Sequence, residues 1–177
     1  MKHKTTLIVR GGGDLASGVI HRLYKCGYQV LVMECAKPSA IRRRVSFGEA
    51  VYDGTSSVEG VTGRLVKDIS ECRKVWDEKE IPILVDEAAD AVSELKPDAL
   101  IDAILAKKNL GTTRAMAPLT IGLGPVFTAR MDVDYVVETQ RGHNLARVIE
   151  KGTAAPNTGI PGMIAGYGKE RVIHSPA

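Results

Sequence analysis

The sequence predicts an α/β fold with a doubly wound, mostly parallel sheet, because strand-like and helix-like segments alternate along its 177 residues. The clearest evidence is at the start. A β-branched run at Thr6–Arg10 is typical of a buried strand, and the glycines Gly11–Gly13 follow it at once. Apolar residues at helical spacing then predict a helix over Asp14–Cys26, and Tyr28–Met33 is typical of a second buried strand. Together they form a β-α-β unit.

Shorter patterns predict the remaining elements. They are a short helix starting within Ser39–Arg44, a strand or irregular crossover over Ser57–Val66, a helix over Ile69–Lys79, a strand over Ile81–Val85, a helix over Ala88–Leu95, and strands over Ala99–Ile104, Leu119–Leu123 and Tyr135–Glu138.

The chain changes character after residue 150. Lys151–Gly168 is dense in glycine and proline, which is typical of loops at a domain edge. We therefore predict a ligand-binding domain over residues 1–150 and a Gly/Pro-rich extension over 151–177. Arg171–His174 resembles the start of a strand. It is either the beginning of a further domain or an ordinary chain end.

Composition excludes several classes of protein. Hydrophobic residues make up 44% and charged residues 25%, as in ordinary globular domains. A net charge of +3 gives no support to nucleic-acid binding, and no run of about 18 apolar residues predicts a membrane span. Three scattered cysteines without a C-x-x-C pair or zinc-ligand spacing predict a cytoplasmic chain with no metal site.

The glycine run carries the main functional prediction. Gly11, Gly13 and Ala16 fit the dinucleotide-binding pattern G-x-G-x-x-A between a strand and a helix, which makes the fold Rossmann-like. Gly11 allows the tight turn, Gly13 lets backbone amides approach a phosphate, and Ala16 or Gly18 permits close packing of helix on strand. The helix dipole attracts an anion to the same place. The candidate ligand-binding residues here are Gly11, Gly12, Gly13, Asp14, Leu15 and Ala16.

Asp14 has two interpretations. Its carboxylate suits the start of a helix as an N-cap, but it would compete with a bound phosphate. The alternative to the whole site is a glycine-rich turn that only packs tightly.

Two further features lie after the second strand. Glu34, 21 positions after Gly13, is placed either to accept a ribose hydroxyl or to end a strand as a solvated carboxylate. Arg42, Arg43 and Arg44, with Lys37 nearby, form a cationic cluster that suits an additional phosphate, as in NADP or a pterin phosphate. The alternative for the cluster is a solvated face or a partner contact.

No residue is assigned to catalysis. The loop Gly111–Arg114 suits anion binding, and His143 is either a proton carrier or a helix-start residue. Cys35 is either a thiol activated by neighbouring cations or a small buried hydrophobe. The sequence leaves open whether the protein is an enzyme.

Longer motifs carry a family resemblance. They are Ile8–Arg44, Val45–Tyr52, Val58–Val61, Ile121–Pro125 and Glu138–Leu145. Together they resemble the YqeB-type accessory proteins of the selenium-dependent molybdenum hydroxylase system. The resemblance implies an accessory role in maturing or supplying a molybdenum cofactor, and a kinship of theme with XdhC-like proteins. It also implies a missing C-terminal domain similar to a lipoyl or biotinyl barrel, entered at Arg171–Ala177.

Three functions are therefore expected, in this order. The first is an accessory or maturation protein that holds a molybdopterin-type or nucleotide-like phosphorylated ligand, with a molybdenum hydroxylase as partner. The second is an NAD(P)-dependent oxidoreductase. The third is a non-enzymatic interaction module with a vestigial nucleotide site. The expected cofactor is thus a molybdopterin-type compound or NAD(P), no nucleic acid or membrane partner is expected, and self-association is left open.

Overall fold

The computed structural model describes residues 4–157, 163 and 165–168. In chain order the strands are β1 Thr6–Arg10, β2 Gln29–Glu34, β3 Thr55–Val58, β4 Val61–Val66, β5 Ile81–Val85, β6 Ala99–Asp102, β7 Thr120–Leu123, β8 Thr128–Ala129, β9 Tyr135–Val137, β10 Val148–Ile149 and β11 Gly152–Thr153. The α-helices are α1 Asp14–Lys25, α2 Ala50–Asp53, α3 Cys72–Asp77 and α4 Asp90–Leu95, and single 3₁₀ turns lie at Arg43–Val45, Phe47–Glu49, Ile69–Glu71 and Arg114–Met116.

One sheet organises the molecule. Its order is β10-β9-β7-β6-β1-β2-β5-β4-β3, and the strands from β9 through β4 are all parallel. Read from β5, the sequence β5-β2-β1-β6-β7-β9 is the 3-2-1-4-5-6 order of doubly wound nucleotide-binding folds. The predicted Rossmann-like α/β class is confirmed. The strand order reverses between β1 and β6, and ligands in such sheets bind at the carboxyl ends of the strands at that reversal.

Apolar side chains cover both faces of the sheet. One cluster packs α1 and the segment around Phe47 against one face, and the other packs α3 and α4 against the opposite face. Continuous burial along β1 and β2 explains why their sequences are unbroken apolar runs. Helix α1 buries Ala16, Ser17 and Ile20, whereas Leu15, which helical spacing placed on the apolar face, is 50% exposed.

Several predicted elements differ in detail. Ser57–Val66 lies in a hairpin, β3 and β4, because Glu59 and Gly60 both take positive φ and turn the chain. The helix predicted over Ile69–Lys79 begins as a 3₁₀ turn and continues as α3 only to Asp77. The short helix expected within Ser39–Arg44 is a 3₁₀ turn at Arg43–Val45.

The second half of the sheet is connected differently from the first. The chain passes from β6 to β7 through a loop with one 3₁₀ turn, and from β7 to β9 through a loop that contains β8. Phe127 in that second loop is 1% exposed and packs directly on Gly122 of β7. A bare backbone at position 122 therefore makes room for the aromatic ring.

The first residues of the predicted extension pack on the main body. Strand β11 pairs with β8, and Ala154 is buried beside Phe127. The boundary at residue 150 stays a prediction, and the strand start predicted at Arg171–His174 lies outside the described residues. Within the described part of the chain, no helix is long and apolar enough to cross a membrane.

The packing at Gly122 predicts that Gly122→Ala destabilises the protein. A Cβ there would overlap the Phe127 ring, which is buried and has little room to move. We expect a loss of about 1–3 kcal/mol in the free energy of unfolding, measured by urea titration.

Gly18→Ala is the matched control. Gly18 is exposed inside α1, and a Cβ there meets nothing within 4 Å. Replacing a helix-interior glycine by alanine should raise stability by about 0.5–1 kcal/mol. Equal effects of the two substitutions would contradict the packing described at Gly122.

Candidate functional site

The glycine loop lies at the reversal of strand order. Gly11 follows β1 with a φ of 91°, and its amide donates a hydrogen bond to the Met33 carbonyl on β2 at 2.8 Å. A Cβ at Gly11 would lie 3.0 Å from the Ala103 carbonyl oxygen and from the Ile104 backbone, just after β6. Both the positive φ and the close approach require glycine, so the predicted tight turn has two physical reasons.

The peptide group of Gly12 is surrounded by protein. Its carbonyl oxygen accepts hydrogen bonds from the Gly48 amide at 2.8 Å, from Ser46 Oγ at 2.7 Å and from Ser17 Oγ at 3.1 Å. Ser17 Oγ in turn accepts a bond from the Phe47 amide at 2.8 Å. The segment Ser46–Gly48 therefore lies directly on the glycine loop.

Gly13 is the open member of the loop. Its φ of −64° is an ordinary value, and a Cβ built there meets nothing within 4 Å. It is the N-cap residue of α1, and no side chain caps the helix there. The Gly13 and Asp14 amides make no hydrogen bond within the described part of the chain. Unpaired amides at the positive end of a 12-residue helix form a ready site for an anion.

Asp14 borders this opening. One carboxylate oxygen accepts a bond from the Leu15 amide at 2.9 Å, and the other accepts from Arg42 Nε at 2.6 Å. The N-cap position belongs to Gly13, so Asp14 is not the N-cap of α1. The Arg42 guanidinium partly neutralises the carboxylate beside the opening.

The arginine cluster does not converge on the glycine loop as a unit. Arg42 pairs with Asp14, whereas Arg43 pairs with Glu49 and lies over the Tyr52 ring at 5.6 Å. The bond from Arg43 lowers the pKa of the Glu49 carboxyl below its ordinary value. Arg44 is exposed. The role predicted for the cluster in binding an extra phosphate stays a prediction.

Glu34 lies beside the loop, where the sequence places it, but its carboxylate contacts backbone. Oε1 accepts from the Gly12 amide at 2.6 Å, and Oε2 accepts from the Cys35 amide at 2.8 Å. Burial raises the pKa of the Cys35 thiol, and the charges of Glu34 and Glu87 add to that effect. The suggestion that nearby cations lower the pKa of Cys35 is therefore wrong, because carboxylates and not arginines are its close charged neighbours.

A buried polar network next to the loop was missed from sequence. Arg10 and Asp102 end β1 and β6 and are 3% and 2% exposed. Thr112 Oγ1 accepts from Arg10 at 2.6 Å and donates to Asp102 at 2.5 Å. Arg10 also donates to the carbonyls of Glu87 and Leu110. The only sequence signal was an arginine and an aspartate ending two otherwise apolar strands.

The same network holds the loop Gly111–Arg114 in place. Thr112 points inward and is locked by Asn109 on both its amide and its carbonyl. Arg114 forms an ion pair with Asp134, which follows β7 in the chain, and its Nη2 lies 2.8 Å from the carboxylate. The loop therefore reaches the same sheet edge as the glycine loop, but its hydroxyl and its arginine are held by protein.

Residues after β9 form a separate region at the sheet edge. Glu138 is 6% exposed, and although burial raises its pKa, bonds from the Ala155, Gln140 and Thr139 amides outweigh that effect and lower it. His143 is exposed on the following loop. Among the described residues, no three His, Cys, Asp or Glu side chains are grouped to hold a metal ion.

The buried network predicts that Thr112→Val destabilises the protein. Valine keeps the volume but removes the hydroxyl that bonds both Arg10 and Asp102, whose own ion pair, at 3.6 Å, would remain. We expect a loss of about 1–3 kcal/mol in the free energy of unfolding, measured by urea titration. Thr113→Val, at the exposed neighbouring position, should change stability by less than about 0.5 kcal/mol. Equal losses in both variants would contradict the network.

Comparison with known proteins gives one informative relative. "Uncharacterized protein YqeB" of Escherichia coli (strain K12) is 51% identical to this chain over 171 residues, which is 97% of this chain. The chain spans 32% of that protein's length. No family model and no solved structure matches the sequence. The chain is therefore similar to YqeB over nearly all of its own length, in agreement with the resemblance that its sequence motifs carry.

Proposed function

We propose that this chain binds a phosphorylated ligand at its glycine loop and acts as an accessory or maturation protein for a selenium-dependent molybdenum hydroxylase. One observation carries the ligand-binding part. The loop lies at the carboxyl ends of β1 and β6, where the strand order reverses, and its open Gly13 begins α1. Ligands of doubly wound sheets bind at this point.

The chemistry of the opening suits a phosphate group. The Gly13 and Asp14 amides point to no acceptor in the described part of the chain, and the dipole of α1 adds positive potential. Arg42, which now pairs with Asp14, brings a guanidinium within reach of the same position. The carboxylate of Asp14 opposes anion binding, and its pairing reduces that opposition.

The molybdenum part rests on the family resemblance of the sequence motifs. A molybdopterin-type ligand carries a phosphate that the Gly13 and Asp14 amides would hold, and the ligand would supply the metal-binding dithiolene when bound. The chain spans about a third of its relative, and within that part we propose that it binds the ligand.

An NAD(P)-dependent oxidoreductase is the second candidate, because the strand order is that of dinucleotide-binding domains. Two observations weigh against it. The Glu34 carboxylate already accepts bonds from two backbone amides, and the imidazole of His143 is exposed on a loop after β9, three strands from β1 in the sheet order.

The open side of Gly13 predicts that Gly13→Val weakens ligand binding at least tenfold without unfolding the protein. The valine side chain fits the free protein, because φ is ordinary and the space is empty, but it fills the position of the phosphate. We expect fluorescence titration with a molybdopterin preparation to show at least a tenfold loss of affinity, about 1.4 kcal/mol.

Gly18→Val is the control, because it places the same side chain on the same helix at an exposed position away from the loop. It should retain the affinity of the wild type. Both variants should keep the wild-type circular dichroism spectrum. Undiminished binding in Gly13→Val would remove the glycine loop as the site. Binding of NADPH in preference to the pterin would make the oxidoreductase the better-supported function. If neither ligand binds the wild type, the non-enzymatic interaction module is favoured.

A further inference from the structure

The glycine loop has two sides along the sheet edge, one toward β2 and one toward β6. In dinucleotide-binding domains the ligand crosses this loop, and the acidic residue at the end of the second strand binds the ribose of the adenosine half. The other half then extends over the strand on the far side of the reversal. In this chain protein atoms fill the side toward β2, which limits the kind of ligand that fits.

On the side toward β2, the carboxylate of Glu34 is committed to backbone. Its Oε1 is 2.6 Å from the Gly12 amide and its Oε2 is 2.8 Å from the Cys35 amide. These charge-assisted bonds fix the carboxylate against the loop. A ribose hydroxyl that approached from this side would have to displace one of them.

Gly48 fills the space above Gly12 on the same side. Its amide is 2.8 Å from the Gly12 carbonyl oxygen, and a Cβ on Gly12 would lie 2.8 Å from that amide nitrogen. A Cβ on Gly48 would lie 3.1 Å from Glu34 Oε1. Carbon atoms in contact lie about 3.5–4.0 Å apart, so no sugar ring fits between these groups.

The segment that carries Gly48 is firmly anchored. Phe47 is fully buried, and a Cβ on Gly63 of β4 would lie 2.9 Å from its ring. The Phe47 amide donates a hydrogen bond to Ser17 Oγ on α1, and Ser46 Oγ donates one to the Gly12 carbonyl. Opening the side toward β2 would expose a buried phenylalanine and break these hydrogen bonds together, so the segment stays closed over the loop.

On the side toward β6, the loop is closed at Gly11, where a Cβ would lie 3.0 Å from the Ala103 carbonyl oxygen and from the Ile104 backbone. The open position of the loop is Gly13, where a Cβ meets no atom within 4 Å. The structure therefore leaves room for a ligand at Gly13 and none over Gly12.

We propose that the site accepts a phosphorylated ligand at Gly13, and that Glu34 with Ser46–Gly48 excludes the adenosine half of a dinucleotide. The inference rests on the proposed phosphate site and narrows its ligand to a phosphorylated compound without an adenosine on the β2 side. Glu34 is thus a positioning residue that holds the loop, and the occupied β2 side sets specificity.

Calorimetric titration of the full chain with inorganic pyrophosphate, AMP and NADH tests the inference. Pyrophosphate reports the phosphate site alone, whereas AMP and NADH add the adenosine. We expect AMP and NADH to bind no more tightly than pyrophosphate, within about threefold, because the adenosine gains no contact. Binding of AMP or NADH at least about tenfold tighter than pyrophosphate would overturn the inference and leave the phosphate site standing. An absence of pyrophosphate binding would overturn the phosphate site itself.

Discussion

The peptide group of Gly12 joins three parts of the molecule that are distant in sequence. Its amide donates to Glu34 at the end of β2, and its carbonyl accepts from α1 and from the segment Ser46–Gly48. Because buried peptide groups must be paired, this arrangement fixes the loop, the helix start and the covering segment together. A side chain at Gly12 would strike the Gly48 backbone, so glycine is required there by contact and not by φ.

These contacts determine which part of the glycine loop a ligand can reach. With Gly11 packed under the end of β6 and Gly12 covered by Gly48, the next residue is the one left open to a ligand. The same contacts that stabilise the loop remove its β2 side from use. A glycine motif common to dinucleotide-binding domains therefore has, in this chain, a different set of accessible faces, and fold alone does not identify the ligand.

Sequence reasoning recovered most of the sheet and the position of the glycine loop between β1 and α1. The β-branched runs and the glycines that follow β1 predicted the βαβ unit, because burial on both faces leaves a continuous apolar pattern. The hairpin of β3 and β4 is harder to predict from sequence. Its turn needs a positive φ at Glu59 as well as at Gly60, and glutamate is not a residue that typically adopts it. Leu15 was placed on the buried face, but packing against the sheet rotates α1 so that Ala16 and Ser17 are buried instead.

The contacts inside the site were beyond the reach of sequence. Nothing in the spacing of Glu34 and Gly12 distinguishes a carboxylate that binds ribose from one that holds a backbone amide. The partners of Arg42 and Arg43 depend on how residues 35–49 fold back over α1, and Arg10 with Thr112 is a pairing across 102 positions. Such long-range polar pairs leave no local periodicity, whereas strands and helices do.

The proposed function requires that an anion bind at the start of α1, at the open end of the glycine loop. The most direct measurement is a series of nitrogen-15 amide spectra of the full chain, recorded as inorganic pyrophosphate is added. We expect the largest chemical-shift changes at the amides of Gly13 and Asp14, while those of Gly12 and Gly48, which already bond to protein, change little. Largest changes in the loop around His143, or no saturable change at Gly13, would contradict it.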